Sequence, residues 1–322
     1  MDGVFSFLKP PGITSHDAIS ICRRVLREKR IGHSGTLDPL AYGVLPIFVG
    51  KATRIIEYTD SLTKTYVAEC CLGYSTDTED STGQVIATMP KEECSIPFME
   101  DVSAMVSQFE GPQEQKPSIY SAIKINGKKA YELARAGIAV DLPSRPIHIY
   151  ECKLLAYAYP YFTVKVTCSS GTYIRSLLRD MCEKLGIPGT MTQLARTAVG
   201  SFSINESHSV EELEHHGMIL LQPVDRALVH LPAIELPAQA VTALKQGQTW
   251  SASPAYNLTH GTHSNSNRNI EMITRENNFV NASTTNSVNT NSPDLLRAYG
   301  PDGFFGVLYN KKTHYKVAKN IF

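Results

Sequence analysis

The chain has 322 residues, 42% hydrophobic and 19% charged, with 31 basic side chains against 31 acidic ones. Such a composition suits an ordinary globular protein of one large and one small domain, and zero net charge gives no argument for a polyanionic partner from composition alone. Seven cysteines, with an adjacent pair at 70 and 71 and no CxxC spacing, argue against both a disulfide framework and a structural zinc site. No HExxH helix, Walker loop or GxGxxG element appears, so no metal, nucleotide or dinucleotide cofactor is expected. The absence of a basic-then-apolar leader and of a long apolar run predicts a reducing, cytoplasmic setting. Charge is nonetheless uneven: basic residues gather at 23–30, at Lys124, Lys128 and Lys129, and at Lys311, Lys312, Lys316 and Lys319.

In chain order, Val4 to Leu8 reads as a short strand, broken by Lys9-Pro10-Pro11-Gly12. Thr14 and Ser15 can cap a helix whose apolar face is Ala18, Ile21, Cys22, Val25 and Leu26, with Arg23, Arg24 and Arg27 toward solvent. Gly32 to Ala41 then forms a non-helical corner. Its glycines permit unusual backbone angles, and Pro39 keeps Asp38 out of helical geometry. On the Asp-Pro dipeptide alone, Asp38 reads as a turn cap. Residues 64–72 alternate, placing Tyr66, Ala68, Cys70 and Leu72 on one face of a half-buried strand. Residues 161–168 alternate more cleanly, with Phe162, Val164, Val166 and Cys168 pointing one way. Ser169 to Thr172 turns that strand into a helix carrying Ile174, Leu177, Leu178, Met181 and Leu185, stopped at Gly186.

Helices and strands do not alternate regularly, so the expected class is α+β with a mixed, mainly antiparallel sheet. Composition shifts after about residue 228. The tail carries strand candidates at Phe304 to Tyr309 and Tyr315 to Ala318, and an insertion at about 251–293 rich in Asn, Ser and Thr. Few apolar residues there can offset ordering entropy, so mobility is expected. Tyr173 and Arg175 flank the core-facing Ile174 at the start of a helix, where both can face a cleft. They read equally as a core tyrosine and a surface cation. A guanidinium near Asp38 would keep that carboxylate ionised and oriented.

Several ordered motifs carry a resemblance. Lys9 to Ser15, Gly32 to Ala41, Lys64-Thr65-Tyr66, Gln115 to Arg135, Gly171 to Arg175 and Leu194 to Gly200 together resemble the TruB family of tRNA pseudouridine synthases. The likeness spans about residues 3–228 and continues weakly to the end. It implies a pseudouridine synthase sheet flanked by helices over 1–228, and a PUA-like RNA-binding domain over 229–322. It implies isomerisation of uridine 55 in the tRNA T-loop, without a cofactor. Asp38 would be the catalytic residue, as nucleophile or as base, with Tyr66 and Arg175 in support. His33, Tyr66, Tyr173, Leu194, Lys9 and Arg196 would contact substrate, with His33 as a wedge in the emptied loop and Tyr66 stacked on the flipped base. Ser34 and Ala195 depart from the family's Thr and Arg. The expected partner is tRNA through its T-arm, with no membrane, no obligate protein partner and a monomeric state. The rivals are a tRNA-folding chaperone on the same scaffold and an RNA-guided synthase. Binding alone does not need the Asp38 carboxylate, and the long basic extensions expected of a guided enzyme are missing.

Overall fold

Thr14 starts the first helix by a reciprocal cap. Its hydroxyl accepts from the Asp17 backbone N–H at 3.0 Å, and the Asp17 carboxylate accepts from the Thr14 N–H at 2.9 Å. The computed structural model describes residues 2–90, 96–251 and 294–321, and the chain divides into units 1–227 and 228–322. The first unit begins with β1 (Gly3–Lys9), α1 (Ser15–Leu26), β2 (Ile31–His33) and β3 (Tyr42–Val49). Helix α1 buries Ala18, Ile19, Cys22 and Leu26 against Phe5, Phe7, Leu45 and Ile47. Ile19 takes the place expected of Ile21, which is only half-buried. The buried arc follows the i, i+1, i+4, i+8 positions from Ala18, slightly rotated from the expected face.

Next come β4 (Lys64–Leu72), β5 (Tyr74–Thr76), β6 (Val85–Thr88), α2 (Met99–Ser107) and β7 (Gly111–Gln115). The short pair β8 (Lys124–Ile125) and β9 (Lys128–Lys129) leads into α3 (Ala130–Arg135). The unit is completed by β10 (Arg145–Ala158), β11 (Tyr161–Cys168), α4 (Ile174–Leu185), β12 (Gly189–Val199), β13 (Phe202–Ser203) and α5 (Val210–His216). Nine strands form one sheet in the order β1-β3-β12-β4-β11-β10-β7, with β2 added to β3 and β13 to β12. Of these pairings only β3 with β12 is parallel, so the sheet is mixed and mainly antiparallel, as expected.

Strand β4 is central. It buries Lys64, Tyr66, Ala68 and Cys70, and β11 beside it buries Phe162, Val164, Val166 and Cys168. Leu177, Leu178 and Met181 of α4 pack on this face, each buried apolar side chain contributing about 2 kcal/mol. Gly186 ends α4 in the left-handed region at φ 69°. Gly43 has no substitute where β3 meets β12: its φ is +113°, and a Cβ there would lie 2.2 Å from the Arg196 carbonyl oxygen.

The second unit pairs β14 (Ala233–Glu235), α6 (Ala238–Lys245) and β15 (Trp250–Ser251) with β16 (Asp294–Gly300), β17 (Gly303–Asn310) and β18 (His314–Asn320). Its five-stranded sheet, ordered β14-β16-β17-β18-β15, closes over Ile234, Leu236, Leu244, Leu296, Phe305 and Leu308. The expected insertion lies outside the described residues apart from Ser251. No helix among the described residues is long and apolar enough to cross a membrane.

Candidate active site

The Asp38 corner is built from backbone groups that neither helix nor sheet can satisfy. Ser15, at the start of α1, accepts from the Leu37 N–H at 2.9 Å and donates to the Leu37 carbonyl at 3.0 Å. The Gly12 N–H donates to the Pro39 carbonyl at 2.8 Å, and Ala41 N–H closes the turn on the Asp38 carbonyl at 3.1 Å. Two cations complete the cage. Lys9 Nζ donates to the carbonyls of Ala41 at 2.7 Å, Pro10 at 2.8 Å and Pro39 at 3.4 Å. Arg196 donates through Nε to Val44 O at 2.8 Å, through Nη2 to Gly35 O at 2.8 Å, and through Nη1 to Thr36 O at 3.4 Å. Both side chains are wholly buried. The sequence reading set Lys9 and Arg196 toward substrate; in the structure both donate from inside to carbonyls of the corner, which need donors. Burial lowers Lys9 to about 8, with Asp38 opposing that shift.

Asp38 itself keeps its side chain 39% exposed at the surface of this cage. Arg175, in the first turn of α4, reaches it with Nε at 3.0 Å from Oδ2. Arg175 is buried rather than open to a cleft, because its other donors are also taken. Nη1 donates to Thr78 O at 2.8 Å and lies 3.6 Å from Asp80 Oδ2, while Nη2 donates to Tyr120 O at 3.1 Å. Asp80 is fixed in turn through Oδ1, which accepts from the Thr82 N–H at 3.0 Å and from Thr78 Oγ1 at 2.9 Å. Sequence reasoning missed Asp80. Its only signal was the dense run Asp77 to Thr82 just after a strand, which reads as a solvated turn. Tyr173 caps α4 with its backbone held on both sides by Gln115, at 2.8 and 3.0 Å, and the Arg145 guanidinium lies 5.4 Å from its ring centroid.

Tyr66 is buried on β4 directly across from Arg196 on β12. Burial raises the pKa of its phenol, and the neighbouring Arg196 guanidinium opposes the rise. Leu194, two residues before Arg196, is buried in the same apolar cluster as Leu37, Tyr66 and Ile174. His33 is half-buried on β2, and its Nδ1 has no hydrogen-bond partner. Burial, and then the Arg196 charge, lower its pKa below the ordinary 6.5, so the ring is neutral at pH 7. The structure thus joins Asp38 to Arg175 as an ion pair and sets Tyr66 opposite Arg196 in the sheet, while His33 enters neither pair. Among the described residues no three His, Cys, Asp or Glu side chains gather as a metal-holding group. A partly exposed carboxylate fixed by a guanidinium, with a phenol buried close by, can attack a carbon centre or move a proton.

Residues 23–174 match the TruB family pseudouridylate synthase N-terminal domain, and residues 175–229 match the tRNA pseudouridylate synthase B C-terminal domain. A protein of Bacillus velezensis described as tRNA pseudouridine synthase B is 48% identical over 243 residues, covering 72% of this chain and 78% of the relative. The protein of that description from Bacillus subtilis is 46% identical, with the same coverage of 72% and 78%. One from Caldanaerobacter subterraneus is 42% identical, covering 77% and 86%. Among solved structures, a chain of an H/ACA RNP bound to a substrate RNA containing 2′-deoxyuridine aligns with TM-score 0.69 at 22% identity, covering 99% of this chain and 85% of that one. A chain of a Cbf5-Nop10-Gar1 complex aligns with TM-score 0.68 at 23% identity, covering 99% and 85%. At that identity the likeness speaks for the fold.

Proposed function

The chain belongs to the TruB family of pseudouridylate synthases, and from that premise we propose that it converts uridine 55 in the T-loop of tRNA to pseudouridine. It is an enzyme of tRNA pseudouridylation. The observation that carries the reading of its site is the 3.0 Å pair between Arg175 Nε and the exposed Asp38 carboxylate.

The reaction breaks the C1′–N1 bond of uridine and forms a C1′–C5 bond, with no change in redox state. The target base leaves the stack, at a cost of a few kcal/mol, before its sugar is accessible. Asp38 then acts at the sugar, as nucleophile on C1′ or as base in a glycal route, and Arg175 keeps the carboxylate charged and aimed. Tyr66 stacks on the flipped uracil and accepts the proton that C5 loses. Leu194 and Tyr173 supply walls that exclude water and retain the detached base. His33, neutral and half-buried, fills the space that the base vacates. The β-rich second unit contacts the tRNA as a PUA-like module, a reading supported by Lys311, Lys312 and Lys316 on and beside its β17–β18 turn.

No guide RNA or protein partner is invoked. Incubating the purified chain with an unmodified tRNA transcript, alone, and mapping pseudouridine by carbodiimide-dependent reverse-transcription stops tests this. Modification at uridine 55 is expected. Modification only after adding a guide RNA or a second protein overturns the stand-alone reading.

A further inference from the structure

Arg196 occupies an electrostatically costly position. It is 0% exposed, and among the described residues it forms no ion pair. Burying a guanidinium without a carboxylate is expensive, and the three carbonyl oxygens that it meets carry no formal charge to balance it. Its partner across the sheet is Tyr66. The two residues are directly opposed in the β12–β4 register, so their side chains leave the same face as close neighbours, and the register shifts immediately beyond Arg196. The backbone of Arg196 has little freedom to move away, since Gly43 lies against its carbonyl.

We propose that Arg196 is a positioning residue for proton removal, holding the Tyr66 phenol oxygen and the Asp38 corner as one unit and balancing the negative charge of the phenolate that accepts the C5 proton. This rests on the reading of Tyr66 as proton acceptor. In the balanced step, the new C1′–C5 bond is in place, the C5–H electron pair returns to the ring, and the proton passes to the Tyr66 phenolate. Solvent supplies the N1 proton of the product and takes the phenol proton back afterwards. The charged and titratable groups facing Tyr66 are Arg196 from β12, Cys168 from β11, Asp38 from the corner and Lys64 from its own strand. Arg196 leads the influences that oppose burial. A single carbonyl-bound guanidinium therefore links the group that acts at the sugar to the group that acts at the base.

The test measures single-turnover rates against pH on full-length protein, with tRNA carrying uridine deuterated at C5. With 3,5-difluorotyrosine at position 66, the pH midpoint of the deuterium-sensitive step falls; an unmoved midpoint overturns Tyr66 as acceptor, and this inference with it. Arg196→Lys keeps a charge but loses the planar fork that binds the corner carbonyls beside Tyr66. It is expected to raise the midpoint by about one unit and to slow the step roughly tenfold or more at pH 7. A midpoint that moves with difluorotyrosine but not with Arg196→Lys overturns the role of Arg196 alone. Should Arg196→Lys fail to fold, the native arginine is read instead. In nitrogen-15 arginine-labelled protein, Tyr66→Phe removes one oxygen and shifts the exchange-protected Arg196 guanidinium resonance, whereas an unshifted resonance contradicts the contact.

Discussion

At the Asp38 carboxylate, Arg175 meets acidic groups, Asp38 at 3.0 Å and Asp80 at 3.6 Å. Under the backbone of the same corner, Lys9 and Arg196 donate to carbonyl oxygens. The first arrangement orients a charge that remains 39% exposed. The second closes unsatisfied backbone and leaves two buried cations near the site with no carboxylate partner among the described residues. The difference separates two jobs that sequence alone would merge, since all three residues read simply as cations within motifs of the chain. Changes at the carboxylate should appear in turnover, and changes at Lys9 in the cage should appear in stability and in how stability depends on pH.

The largest effect belongs to Asp38→Asn. It keeps shape and removes the acting charge, so product formation should fall by on the order of 10⁴-fold while tRNA binding stays nearly unchanged. Filter binding beside pseudouridine detection reads both. Arg175→Lys retains one charge but loses the planar fork that spans Asp38, Thr78 O and Tyr120 O. Turnover should drop roughly 10²-fold or more at saturating tRNA, and a loss confined to KM would make Arg175 a substrate contact instead. Asp80→Asn leaves Arg175 with one carboxylate in place of two. About a tenfold loss in kcat is expected, with Kd little altered; equal activity would mean that the Thr78 and Tyr120 carbonyls suffice.

The smallest effect concerns pH and tests the cage. Burial lowers Lys9 from its ordinary 10.5 to about 8. Between those values the unfolded chain holds the proton and the folded one releases it, so the penalty of burying the charge, full below pH 8, is lifted as pH rises toward 10.5. Wild type should therefore gain on the order of 1 kcal/mol relative to Lys9→Met between pH 7.5 and 9.5. Urea unfolding at the two pH values measures it, and parallel behaviour of both proteins would remove the buried charge from the account of Lys9.

Much of the framework was legible because it depends on local periodicity. The Thr14–Asp17 cap, the alternation of β4 and β11, the apolar stripe of α4 and its glycine stop all follow from neighbouring residues. The Asp38 corner was legible too, through its Gly and Pro punctuation and its family motif. The inward turn of Lys9 and Arg196 was not, because a cation reads as a surface residue unless the carbonyls awaiting it are known. Asp80 was hidden for the opposite reason: a Thr- and Asp-rich turn looks solvated until a helix from 95 residues later brings Arg175 to it. The parallel pairing of β3 with β12, some 150 residues apart, has no local signature either.

Measuring single-turnover rate and urea stability on Asp38→Asn and Lys9→Met together probes the division most directly. The expected result is a rate loss near 10⁴-fold without loss of stability for Asp38→Asn, and a changed stability-versus-pH slope with substantial turnover for Lys9→Met. Near-wild-type turnover in Asp38→Asn would contradict the assignment of the chemistry to that carboxylate.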